Sequence, residues 1–170
     1  MQSQNIILIG MPGAGKSTIG VLLAKILRKD FIDTDLLIQA KEERLLQEII
    51  NERGLNDFLE IEEEVILELQ VNNAVIATGG STIYSDQAIS HLKQDGIAVY
   101  LKLTYEEIER RINNMASRGI VIVEGQSLLD LYQERTPKYE QKADLMLDCT
   151  GKSIEESVRS VKDQLEKLGF

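Results

Sequence analysis

Cysteine occurs once in this chain, at position 149. No internal disulfide can form, as suits a reducing cytosol. Cys149 adjoins an apolar stretch and reads as a small core residue, not a nucleophile. Histidine also occurs once, as His91. That excludes a multi-histidine metal site and argues against a histidine-based triad; His91 is expected on an exposed helix. With only two prolines and no low-complexity tract, nothing suggests a disordered region or a long linker. No apolar run approaches the roughly 18 residues that span a bilayer. The N-terminus enters an apolar stretch without a charged-then-apolar leader, so the expected location is cytoplasmic, with no membrane partner. Basic residues are scarce too: 19 Lys and Arg stand against 28 Asp and Glu, a net charge of −9. Such a chain has no general basic field for nucleic acid and must gather its cations locally to handle phosphates.

What is present is ordinary for a globular protein. The 170 residues are 43% hydrophobic and 28% charged, enough for one domain over 1–170 with a real core. A monomer is expected. The most informative run is Gly10-Met11-Pro12-Gly13-Ala14-Gly15-Lys16-Ser17-Thr18, which fits the spacing G-x-x-x-x-G-K-[ST] of a phosphate-binding loop. Before it, Asn5 to Ile9 reads as a buried strand; after it, Ile19, Leu22, Leu23, Ile26 and Leu27 recur at helical spacing. That order is what the chemistry needs. Glycines let the loop curl so that backbone N–H groups face an anion, and the helix N-terminus adds partial positive charge. Lys16 can reach the β- and γ-phosphates, and the Ser17 hydroxyl can ligate Mg²⁺.

Strands and helices alternate along the rest. Strands are expected at 5–9, 31–34, 74–77, 97–103 and 144–148. Helices are expected at 16–29, 36–53, 58–71, 85–94, 105–115, 127–142 and 154–168. This pattern gives βαβ units, hence a three-layer α/β fold: a central five-stranded parallel sheet flanked by helices. Ligands then sit beyond the C-terminal ends of the strands. Several unusual residues fall there. Asp33 and Asp35 follow the second strand. They can divide the labour between Mg²⁺ and an acceptor hydroxyl, or serve as turn acids and a helix cap. Thr78-Gly79-Gly80-Ser81 follows the third strand and can bring backbone close to a ligand, or simply turn the chain. Arg110, Arg111 and Arg118 lie beyond the fourth, where an arginine can close on phosphates or stay solvated. Arg135 lies on a later helix. The acid run Glu60, Glu62, Glu63 and Glu64 reads mostly as a solvated helix face.

Taken in order, these segments resemble the shikimate kinases, small P-loop kinases of the nucleoside-monophosphate-kinase type, over essentially the whole chain. The loop matches from Gly10 to Thr18 and on through Ile19-Gly20. The family's Asp-x-Asp matches Asp33-Thr34-Asp35, and its glycine-rich turn matches at Gly79 and Gly80. Its paired and lid arginines match Arg110, Arg111 and Arg118, and its Arg-x-x-x-Tyr matches Arg135 to Tyr139. The resemblance implies ATP-dependent phosphorylation of a hydroxyl on a small carboxylate-bearing metabolite, shikimate to shikimate 3-phosphate, within aromatic amino acid biosynthesis. It implies Lys16, Asp35 and Arg118 as catalytic residues. Gly13, Ala14, Gly15, Lys16, Ser17, Thr18 and Arg111 would hold ATP, and Ser17 and Asp33 would hold Mg²⁺. Asp35, Leu59, Gly79, Gly80, Ser81 and Arg135 would form the acceptor site. A small lid is expected near 112–126 and an acceptor-binding region near 35–71.

The departures cluster on the acceptor side and the lid. The family's Gly-Glu-x-x-Phe-Arg-x-x-Glu reads Gly54-Leu55-Asn56-Asp57-Phe58-Leu59-Glu60-Ile61-Glu62, with Leu59 where an arginine would grip the acceptor carboxylate. The third glycine of the turn is Ser81, and the lid's Arg-Pro-Leu-Leu is Arg118-Gly119-Ile120-Val121. Leucine supplies neither charge nor hydrogen bonds, and losing such a grip costs roughly 2–4 kcal/mol. Three readings follow: a shikimate kinase; the same catalyst redirected to another small hydroxyl compound such as homoserine or a hydroxy acid; or a nucleotide-binding module without catalysis. ADP release across a panel of small alcohols separates them.

Overall fold

The computed structural model describes residues 4–113 and 125–169. Arg118 and most of the expected lid lie outside the described residues. The strands are β1 (Asn5–Ile9), β2 (Asp30–Asp33), β3 (Ala74–Ala77), β4 (Gly96–Lys102) and β5 (Leu145–Asp148). They form one parallel sheet in the order β2-β3-β1-β4-β5. β1 is central, with Ile7 paired to Ile76 on one side and Ala98 on the other. All five of its residues are buried, which is why Ile6 to Ile9 read as an unbroken apolar run instead of an alternating one.

The helices are α1 (Lys16–Leu27), α2 (Thr34–Glu42), α3 (Leu46–Leu67), α4 (Asp86–Lys93), α5 (Tyr105–Asn113), α6 (Leu128–Lys142) and α7 (Ile154–Lys167). The main core joins β1, β3 and β4 to the apolar faces of α1, α4 and α7. A separate small cluster of Ile38, Ile49, Phe58, Ile61 and Val65 ties α2 to α3. Among the described residues, no helix is long and apolar enough to cross a membrane.

Four expectations change. The second strand ends at Asp33, because Thr34 already opens α2 and Asp33 caps it, accepting from the Asp35 N–H at 3.0 Å. The helix expected over 36–53 is two helices. Glu43 adopts a left-handed φ of +54° that ends α2, and α3 restarts at Leu46. Helical periodicity carries no mark of a left-handed cap made by a non-glycine residue. The break expected between 53 and 58 is instead a kink within α3, at Gly54 with φ +83°. His91 is half-buried, its Nε2 lying 2.8 Å from the Leu69 carbonyl oxygen, and not on an exposed face.

Candidate functional site

The loops leaving the C-terminal ends of β1, β3 and β5 border one open cavity of about 930 Å³. The phosphate loop forms one side. Gly15, at φ +89°, is the N-cap of α1, and that helix has no acid in its first turn. Its N-terminal N–H groups and partial charge are therefore free of an internal carboxylate neighbour on the helix. Gly13, Gly15, Lys16, Ser17 and Thr18 all line the cavity, while Ala14 turns into the core.

Lys16 is only 8% exposed. Its Nζ donates to the carbonyl oxygens of Gly10 at 2.7 Å and Met11 at 2.9 Å. Burial pushes its pKa down to about 8, against the opposing pull of the Asp35, Asp33 and Glu62 carboxylates. The Ser17 hydroxyl donates to Asp33 Oδ2 at 2.6 Å. Asp33 thus links the phosphate loop to the start of α2, and Asp35, one residue into that helix, faces the cavity. Arg111 Nη1 donates to the Gly13 carbonyl at 3.3 Å, and Glu107 accepts from both Arg110 and Arg111. Five basic side chains line the cavity: Lys16, Arg110, Arg111, Arg135 and Lys152. In a chain of net charge −9, this is the local gathering of cations that phosphate handling requires.

The opposite side is built from side chains of distant segments. Gly79, Gly80 and Ser81 follow β3 and border the cavity. A methyl at Gly79 would strike Glu62 Oε1 and lie 2.8 Å from Asp35 Oδ1, so two carboxylates close over this backbone and would have to move to admit a side chain. Arg135 on α6 is 1% exposed. Its Nε donates to the Tyr84 hydroxyl at 3.2 Å, and its guanidinium lies 5.3 Å from the centre of the Tyr84 ring. One turn on, the Tyr139 hydroxyl donates to the Gly80 carbonyl at 2.6 Å, tying α6 to the glycine turn.

Glu62 is a residue that sequence reasoning placed wrongly. Its expected position on a solvated helix face is corrected: it is 2% exposed. It accepts hydrogen bonds from Ser81 Oγ at 2.7 Å and Thr82 Oγ1 at 2.8 Å. Burial pushes its pKa up to about 7, the hydroxyls pulling the other way. A signal was present. Phe58, Ile61, Glu62, Val65 and Ile66 recur at three- and four-residue spacing, which puts Glu62 on the apolar stripe of α3. Phe58 and Lys152 also line the cavity; Lys152 obeys the strand-end rule after β5. Leu59 does not line it. Leu59 borders a second cavity of about 150 Å³, whose wall it shares with Glu62 and Ser81.

Comparison with known proteins gives a consistent result. A family model described as shikimate kinase matches residues 12–166. The shikimate kinase of Thermodesulfovibrio yellowstonii is 36% identical over 168 residues, covering 97% of this chain and 96% of that protein. The shikimate kinase of Clostridium botulinum is 38% identical over 159 residues, covering 92% and 94%. Among solved structures, the shikimate kinase of Acinetobacter baumannii in complex with shikimate superposes with a TM-score of 0.88 at 31% identity, over 96% of this chain and 93% of that one.

Proposed function

The chain belongs to the shikimate kinase family, and from that membership we propose that it transfers the γ-phosphoryl group of ATP to a hydroxyl of shikimate, forming shikimate 3-phosphate. The observation that carries this reading is the shared cavity. A phosphate loop ending in Lys16 and Ser17 faces Asp35 and Arg135 across one space large enough for two small substrates.

Phosphoryl transfer is mostly positioning and charge neutralisation. In this reading Gly13, Ala14, Gly15 and Thr18 supply the loop whose amides hold the β- and γ-phosphates. Lys16 exchanges its two carbonyl partners for phosphate oxygens, and Arg111, with Arg118 beyond the described residues, neutralises charge as it develops. Asp35 accepts the proton of the attacking hydroxyl. Arg135 grips the acceptor carboxylate, and Gly79, Gly80 and Ser81 form the floor beneath it. Ser17 and Asp33 fit a magnesium ion. They are two oxygen donors beside a phosphate site, and Mg²⁺ takes few protein ligands and keeps waters and phosphate oxygens for the rest. When bound, the ion neutralises charge on the transferring phosphate.

Leu59 and Ser81 favour one further reading, an acceptor other than shikimate such as homoserine or a hydroxy acid. One assay decides between them: ADP release with shikimate and with a panel of small hydroxy acids. Shikimate is expected to give the highest kcat/KM. A better substrate in the panel replaces shikimate, and ADP release with none of them ends the kinase reading.

A further inference from the structure

Glu107 lines the large cavity, although a bare carboxylate there would repel a phosphate. It stands in the first turn of α5, with its side chain 13% exposed. Both of its oxygens accept from Arg110 Nη2 at 2.8 Å. Its Oε1 also accepts from Arg111 Nε at 2.9 Å, and Arg111 Nη2 lies 2.9 Å from the same oxygen. Two guanidiniums thus answer one negative charge. Arg110 first, and then Arg111, holds the Glu107 carboxyl below the ordinary carboxylate range. The contacts to Arg111 occupy one edge of its guanidinium. The remaining nitrogen, Nη1, is turned to the phosphate loop. It donates to the Gly13 carbonyl at 3.3 Å and lies 3.8 Å from where a Cβ at Gly15 would stand. The Arg111 Cβ is 3.6 Å from the corresponding position at Gly13, so the whole side chain is laid along this turn. Fixing a long arginine costs rotamer freedom, and a side chain already fixed favours the ligand that meets it.

We propose that Glu107 is a positioning residue for nucleotide binding, whose carboxylate grips one edge of Arg111 and sets the other edge over the phosphate loop before ATP arrives. The proposal rests on the reading above, in which the loop and Arg111 hold ATP. It gives the two arginines different tasks. Arg110, 68% exposed, steadies the carboxylate, and Arg111, 21% exposed, meets the nucleotide. An acid in a first turn also favours its helix through the dipole, and Glu106 shares that turn. Binding and stability are therefore measured separately.

The experiment is calorimetric titration of Mg-ATP into the protein without any acceptor, together with melting of the nucleotide-free protein. In Glu107→Ala the Kd for Mg-ATP rises about tenfold, the scale of losing one well-placed charged hydrogen bond. The nucleotide-free melting temperature moves by no more than about 3 °C, because exposed ion pairs of this spacing add little to stability. Glu106→Ala leaves the Kd unchanged. The effect of Glu107→Ala vanishes in an Arg111→Ala background and persists in an Arg110→Ala background, as expected if Glu107 acts through Arg111. Alanine is the best helix former, and Glu107→Gln replaces it if that protein does not fold. An unchanged or tighter Kd in Glu107→Ala overturns the proposal, as does a full tenfold rise in the Arg111→Ala background. A loss of melting temperature with an unchanged Kd also overturns it and leaves Glu107 as a helix brace. A parent protein that binds Mg-ATP but phosphorylates no acceptor ends the kinase reading alone, since the titration needs no acceptor. A parent that does not bind Mg-ATP overturns both.

Discussion

The phosphate-loop wall of the cavity comes largely from one unbroken run, Pro12 to Thr18, whereas the facing wall draws on Asp35 of α2, Phe58 of α3, Gly79 to Ser81 after β3 and Arg135 of α6. The first is made of backbone: amides, a left-handed Gly15 and a helix terminus, all set by local chain geometry. The second is made of side chains whose charges are buried and mutually dependent. Glu62 lies over Gly79 beside Asp35, and Arg135 lies against Tyr84. A backbone-built site resists substitution of its neighbours. A site of buried charges does not, since removing one partner leaves another uncompensated. The family pattern divides the same way, with the loop intact and the departures at Leu59, Ser81 and the lid.

Substitutions on the two walls should therefore differ in kind. The largest effect is expected from Asp35→Asn, which keeps shape and removes the proposed proton acceptor. Turnover should fall by about 10²–10⁴-fold with little change in ATP KM. Rapid-quench measurement of the chemical step checks this, and a near-parental rate would remove Asp35 from the reaction.

Lys16→Ala should lower kcat/KM by about 10²–10³-fold, the scale of losing one preorganised donor to a phosphate oxygen. Its stability should move the opposite way. The ammonium has a folded pKa of about 8, below its ordinary 10.5, so the fold disfavours its charged form. That cost is full below pH 8 and is relieved as pH rises towards 10.5. Lys16→Ala should melt at or above the parent temperature at pH 7, and the difference should shrink by pH 9.5. A variant that melts well below the parent at pH 7 would show that the lysine supports the loop instead of straining it.

The smallest effect is expected from Glu62→Gln, read as stability against pH. The acid's pKa is raised in the fold from 4.5 to about 7, so the folded state disfavours its ionised form. The cost is absent below about pH 4.5, grows between 4.5 and 7, and is full above. Relative to the parent, Glu62→Gln should gain on the order of 2–3 kcal/mol between pH 4.5 and pH 8, from about 1.4 kcal/mol per pKa unit. Urea denaturation at both pH values measures it. An equal difference at the two would mean that Glu62 titrates normally, and the contrast between the walls would weaken.

Periodicity and strand-end reasoning located all five strands and the phosphate loop, because both signals are local. Runs such as Ile6 to Ile9 mark buried parallel strands, and glycines at fixed offsets mark a curled loop. The same local rules carried α1 and α7 nearly to their ends. They failed at Glu43, where a non-glycine left-handed residue splits one expected helix into two, and at His91, half-buried against Leu69. They failed most instructively at Glu62. In a run of acids, which one turns inward depends on the packing of α3 against the glycine turn after β3, where Ser81 lies 19 residues away in sequence. The phosphate-binding half of the site was written in nine consecutive residues, since backbone conformation answers to near neighbours. The proposed acceptor half had to wait for the fold, since burial, hydrogen-bond partners and the fate of a carboxylate follow from which distant segments meet.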